Sequence, residues 1–143
     1  MKDTPVSDIM NSPVRTVDGE TTIADAARDF TAHGIGSLIV GTERIEGIVT
    51  ETDIVGSVGD GLNPTETPVS ALMSDPVVTI RPTDSVGTAG ERMGKNTVKK
   101  LPVTEDGKAV GIVTTTDLAH FLPHQRVGMS VQPESDIDKG EYE

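Results

Sequence analysis

Apolar and polar positions along the chain follow one plan that is used twice. Ile23, Ala26, Ala27 and Phe30 are spaced i, i+3, i+4, i+7, as on one buried helix face, and Val86, Ala89, Gly90 and Met93 repeat the spacing 63 residues later (Ile23 to Val86). The same opening precedes each helix: Val6-Ser7-Asp8-Ile9-Met10-Asn11-Ser12-Pro13-Val14-Arg15-Thr16-Val17 is echoed by Val69-Ser70-Ala71-Leu72-Met73-Ser74-Asp75-Pro76-Val77-Val78-Thr79-Ile80. Two short apolar runs follow, at 37–41 and 45–50 in the first half and at 101–104 and 109–114 in the second. Each pair reads as a β-hairpin, the second turning at Glu105-Asp106-Gly107-Lys108.

Each half therefore predicts, in order, a turn or helical piece (7–10; 70–73), an extended run (14–17; 77–80), a helix (22–33; 84–96), the hairpin and a closing helix (51–58; 115–122). Pro13 and Pro76 end the opening piece. The last apolar run of each half enters its helix through a shared phrase, Gly47-Ile48-Val49-Thr50-Glu51-Thr52-Asp53 and Gly111-Ile112-Val113-Thr114-Thr115-Thr116-Asp117. These lie 64 residues apart (Gly47 to Gly111), so the second half holds one extra residue, which the pattern places in the turn 105–108. Thr50 with Asp53, and Thr114 with Asp117, have capping-box spacing, as does Thr22 with Asp25. Such residues can simply start helices, or a hydroxyl and a carboxylate fixed at a helix mouth can grip a polar ligand. Gly87, Gly90 and Gly94 in the second helix each cost about 1 kcal/mol relative to alanine. They either admit another helix closely or are merely tolerated.

Residues 59–64 are turn-rich and mark a linker, giving a first repeat with its N-terminal segment at 1–62 and a second at 63–126. From 127 to 143 the chain is polar, acidic and aperiodic, which predicts a disordered tail.

Composition narrows the chemistry. Only Phe30, Phe121 and Tyr142 are aromatic, so the core and any ligand base must rely on aliphatic side chains. With 23 acidic and 12 basic residues the net charge is −11, which argues against nucleic acid and against an anionic membrane as partners. That excess resembles proteins of salt-loving organisms, and a halophilic archaeal source is the expectation. There is no cysteine, so disulfide and thiolate chemistry are excluded. No apolar leader or membrane-length run occurs, and a cytoplasmic location is expected.

Taken together, residues 6 to 123 resemble a tandem pair of CBS domains, regulatory modules named after cystathionine beta-synthase. The two openings, the helix-then-hairpin middles and the paired Gly-Ile-Val-Thr-x-x-Asp phrases carry the resemblance. It implies an α/β fold of two β-α-β-β-α repeats packed about a pseudo-two-fold axis, a Bateman-type module, with two related clefts between the repeats. It also implies an adenosine-type ligand, AMP, ADP, ATP or S-adenosylmethionine. The phrase's Asp would take the ribose hydroxyls, and its Thr would lie near the phosphate. A carboxylate accepts two hydroxyl donors well, and a helix N-terminus offers N–H groups to an anion.

By that carry-over one cleft joins Thr50 and Asp53 to Leu72, Pro76, Val77, Val98 and Lys99. The other joins Thr114 and Asp117 to Ile9, Pro13, Val14, Ile35 and Gly36. Lys99 and Lys100 stand where relatives place phosphate contacts, or are solvated hairpin bases. Gly36 and Ser37 replace them in the first repeat, so the Asp117 cleft is expected to lack charge and to hold phosphate weakly. The resemblance further implies a homodimer and regulation of an unknown protein in trans, with no required cofactor.

Two other functions remain open. One is an interaction scaffold whose clefts bind nothing. The other is a metal-dependent enzyme, for which His120 and His124 are the only hint. Pro123 is expected to end their helix, and His33 closes another, where a cation suits the dipole. No catalytic constellation or metal site is read.

Overall fold

The computed structural model describes residues 4–74 and 77–125, the last four by their backbone alone. A turn of 3-10 helix at Val6–Asp8 opens the first half. Strand β1 (Thr16–Val17), helix α1 (Ile23–His33), strands β2 (Ser37–Val40) and β3 (Gly47–Thr50) and helix α2 (Glu51–Gly59) follow. The second half opens with a like turn at Val69–Ala71 and continues through α3 (Val86–Asn96), β4 (Lys100–Glu105), β5 (Lys108–Thr114) and α4 (Thr115–Gln125). The α/β repeat plan expected from the sequence is therefore present, with differences that have local causes.

In the first half β1 runs parallel to β2 and β2 pairs antiparallel with β3. Among its described residues the second half has only the antiparallel pair β4–β5, and the extended run expected at 77–80 shrinks to one parallel bridge between Ile80 and Val103. Proline explains the loss. In the first half the Ile39 N–H donates to Arg15 O at 3.0 Å. The matching residue of β4 is Pro102, which has no N–H to give.

The extra residue of the second half is also relocated. Pairing passes from Val103–Gly111 to Thr104–Ala109 and skips Val110, so the insertion is a bulge in β5. The tip itself is tight, with φ of 55° at Asp106 and 82° at Gly107, as a two-residue hairpin turn requires. Helix α3 starts at Val86, two residues later than expected. Ser85 caps it through Thr88 N–H (3.0 Å), while Asp84 accepts from Arg81 N–H (3.0 Å). Helix α4 continues through Pro123 to Gln125, contrary to expectation. The fixed φ of proline suits a helix, and so near the end its missing N–H forfeits a single bond.

The two halves exchange their opening segments. Val6 N–H donates to Asp84 O (2.7 Å) and Val86 N–H to Thr4 O (2.8 Å); in the mirrored contact Val69 N–H donates to Thr21 O (2.7 Å) and Ile23 N–H to Thr67 O (2.9 Å). Val6 is fully buried among Ile80, Ala89, Met93, Leu101, Val103 and Val113, all from the second half. Val69 is fully buried among Ala26, Phe30, Leu38, Val40 and Val49, all from the first. Burying each valine contributes about 1.5–3 kcal/mol, and each core is incomplete without the other half.

Helix α1 buries Ile23, Ala26 and Phe30 and lies against α2. Helix α3 buries Val86, Ala89 and Met93 and lies against α4. A β-carbon on Gly90 would stand 3.7 Å from Leu118 Cδ1, an ordinary contact, and one on Gly94 would meet nothing. Within the chain, these two glycines are therefore tolerated and do not mark a tight helix crossing. Among the described residues no helix is long and apolar enough to cross a membrane. The acidic stretch 127–143 lies outside the described residues.

Candidate functional site

Both copies of the repeated phrase form the same device. Thr50 ends β3 and caps α2: its Oγ1 accepts from Asp53 N–H (3.4 Å), while Asp53 Oδ2 accepts from Thr50 N–H (2.8 Å) and from the Thr50 hydroxyl (3.1 Å). Thr114 and Asp117 repeat these contacts at 3.2, 2.8 and 3.0 Å. Each carboxylate is thus locked at a helix mouth, with Oδ1 making no hydrogen bond among the described residues. The glycine that opens each phrase admits the other repeat. A β-carbon on Gly47 would lie 2.7 Å from Met73 Sδ, and one on Gly111 would collide with Met10 Sδ.

A cleft of about 660 Å³ opens between Thr50-Glu51-Thr52 at the mouth of α2 and two stretches of the second half, Val77-Val78 and Thr97-Val98-Lys99-Lys100. Its size falls in the range of small-molecule sites, and its walls mix aliphatic and polar groups. Of the expected residues, Thr50, Val77, Val98, Lys99 and Lys100 line it. Asp53 is not on the wall; its Oδ2 is bound in the capping box with the wall residue Thr50. Leu72 is not on the wall; it closes the 3-10 turn, half-buried. Pro76 lies outside the described residues.

The second cleft is smaller, about 240 Å³. Pro13, Val14, Ile35, Gly36 and Thr114 line it as expected. Ile9 does not; its side chain packs against the second-half core, where apolar surface is removed from water. Asp117 is not on this wall either; its Oδ2 is bound in the capping box with Thr114, and Asn11 Nδ2 donates to the same oxygen at 2.9 Å. The expectation that this cleft lacks charge is overturned. Arg15 and Lys100 line it, because Lys100 stands where the two clefts meet and its Nζ lies 3.5 Å from Gly36 O. Gly36 also faces both clefts: a β-carbon there would stand 3.3 Å from Lys100 Nζ and 3.5 Å from Glu51 Oε1.

Sequence reasoning missed Glu51, Thr52 and Ser74 in the first cleft and Asn11 and Arg15 in the second. The signal was available for one pair. Asn11 and Ser74 hold the same place in the two openings, and each bridges to the isoleucine of the opposite phrase, Ile112 and Ile48. Among the described residues no three His, Asp or Glu side chains gather as a metal site. The side chain of His124, half of the only histidine pair, lies outside them.

The CBS-domain sequence profile matches twice, at residues 6–60 and 69–124. The chain is 34% identical over 128 residues to an uncharacterized protein, MK0525, of Methanopyrus kandleri; the match spans 87% of this chain and 65% of that protein. Among solved structures, the CBS domain pair of protein MJ0100, in complex with 5′-methylthioadenosine and S-adenosyl-L-methionine, superimposes with a TM-score of 0.77 at 26% identity, over 85% of this chain and 98% of that one. Hypoxic Response Protein I, with two coordinated zinc ions, superimposes with a TM-score of 0.75 at 31% identity, over 84% of this chain and all (100%) of that one.

Proposed function

The chain belongs to the CBS-domain family, and from that premise we propose that it is a regulatory pair that holds an adenosine-containing ligand in the larger cleft. The observation that carries this reading is that cleft itself: about 660 Å³, with the capped mouth of α2 on one wall and Lys99 and Lys100 on the other. Asp53, bound through Oδ2 to the wall residue Thr50, takes the ribose hydroxyls on its unpartnered Oδ1 at the edge of the cleft; the aliphatic Ile48, Val77, Val78 and Val98 cover the base, and the lysines take a phosphate or, with Glu51, a zwitterionic tail. A 26%-identical relative that binds 5′-methylthioadenosine and S-adenosylmethionine supports the ligand class.

A ligand in this position bridges β3 and α2 of one repeat to 77–78 and 97–100 of the other. Binding then biases the angle between repeats, and a partner protein reads that angle in trans. Two chains pair through the helices, with the exposed Val55 and Val58 of α2 at the contact. The protein acts in the cytoplasm as a sensor and catalyses nothing.

Thermal shift against AMP, ADP, ATP, S-adenosylmethionine and 5′-methylthioadenosine tests the reading, because a ligand that binds only the folded state raises its melting temperature. A rise with one or more of them supports the sensor. No rise with any of them favours a scaffold with empty clefts.

A further inference from the structure

The two clefts differ at one matched pair of residues, and we propose that this pair decides which cleft is open: Asn11 is a specificity-determining residue that closes the Asp117 cleft, and Ser74 leaves the Asp53 cleft free. The inference rests on the adenosine-ligand reading above and adds which site is used and why.

Asn11 and Ser74 are equivalent by sequence and by structure. Asn11 exchanges backbone hydrogen bonds with Ile112 (2.8 and 3.0 Å), and Ser74 N–H donates to Ile48 O at 3.0 Å. The backbone therefore carries both side chains to the same point beside an Asp at a helix mouth. There the chemistry diverges. The Asn11 amide reaches Asp117 Oδ2 at 2.9 Å, whereas the shorter Ser74 makes no side-chain hydrogen bond to Asp53 among the described residues. The Asn11 amide sits on Asp117 Oδ2 and leaves Oδ1 without a partner among the described residues, so Asn11, which lines the Asp117 cleft, competes by filling the space beside the carboxylate: a ribose reaches Oδ1 only by displacing the amide from its charge-assisted hydrogen bond. The cleft volumes agree: about 240 Å³ on the Asn11 side, below the usual range for small-molecule sites, against about 660 Å³ on the Ser74 side. Charge does not explain the difference, since Arg15 and Lys100 both face the smaller cleft.

The test is calorimetric titration of the full chain with AMP and with 5′-methylthioadenosine. The natural chain is expected to bind one ligand per chain. Asn11→Ser is expected to bind two, the new event at least about tenfold tighter than any weak second event of the natural chain, as loss of a hydrogen bond to a charged group implies. Adding Asp117→Asn to Asn11→Ser should return the stoichiometry to one. The converse change, Ser74→Asn, should weaken the first event by a similar factor. Should Asn11→Ser destabilise the fold, Ser74→Asn alone decides. Two events within tenfold of each other in the natural chain, or one event in both chains with Ser74→Asn silent, overturns the role of Asn11 and leaves the ligand reading intact. Binding of neither compound by either chain overturns both.

Discussion

A β-carbon placed on Gly47 would stand 2.7 Å from the sulfur of Met73 and 2.7 Å from the carbonyl oxygen of Ser74, both in the opposite repeat. The phrase therefore begins with glycine for a packing reason, and the contact brings the opening of one repeat against the strand of the other. Gly47→Ala is expected to destabilise the fold by about 1–3 kcal/mol, because a backbone atom must give way. Gly56, in α2, has nothing within 4 Å of its missing β-carbon. Gly56→Ala is expected to stabilise by up to about 1 kcal/mol. Urea unfolding of the two variants should give shifts of opposite sign.

The exchange of Val6 and Val69 between cores predicts one cooperative unfolding unit. Val6→Ala and Val69→Ala should each cost about 1–3 kcal/mol from lost burial and the cavity left behind. Calorimetry should show a single transition lowered as a whole. A variant in which one half melts early while the other keeps its natural midpoint would contradict the exchange.

The repeat, the helix faces and both caps were legible because each is written locally, in spacing or in a Thr-x-x-Asp phrase. What the sequence hid depends on pairing across the chain. The loss of the second half's first strand follows from Pro102, whose missing N–H matters only once Ile39 is known to make that bond. Lys100 could be assigned to one cleft by analogy, but its reach to Gly36 O, and so to both clefts, is a fact of tertiary structure. The family resemblance puts Ile9 in a cleft, yet burial against the second core holds it.

Val55 and Val58 are 70% and 67% exposed, one turn apart on α2. With a second copy as their cover, the natural chain should run as a dimer, and Val55→Asp with Val58→Asp should leave a monomer near 15.0 kDa in light scattering. Unchanged mass in the double variant would place the contact elsewhere.

A net charge of −11 sets the response to salt. Screening at molar ionic strength shortens the Debye length to about 3 Å and relieves self-repulsion in the folded state. The melting temperature should rise from low salt to molar potassium chloride. An equal or lower value at high salt would show that repulsion does not limit stability.

The central claim is that Asp53 holds a ribose in the larger cleft while it also caps α2. Asp53→Asn separates the two roles, since an amide oxygen can still accept from Thr50 N–H but the carboxylate's second charged acceptor is gone. Calorimetric titration with the best of the adenosine compounds is the most direct measurement. The account predicts at least about tenfold weaker binding by Asp53→Asn, with the unliganded fold destabilised by no more than about 1 kcal/mol. Binding as tight as in the natural chain would contradict it.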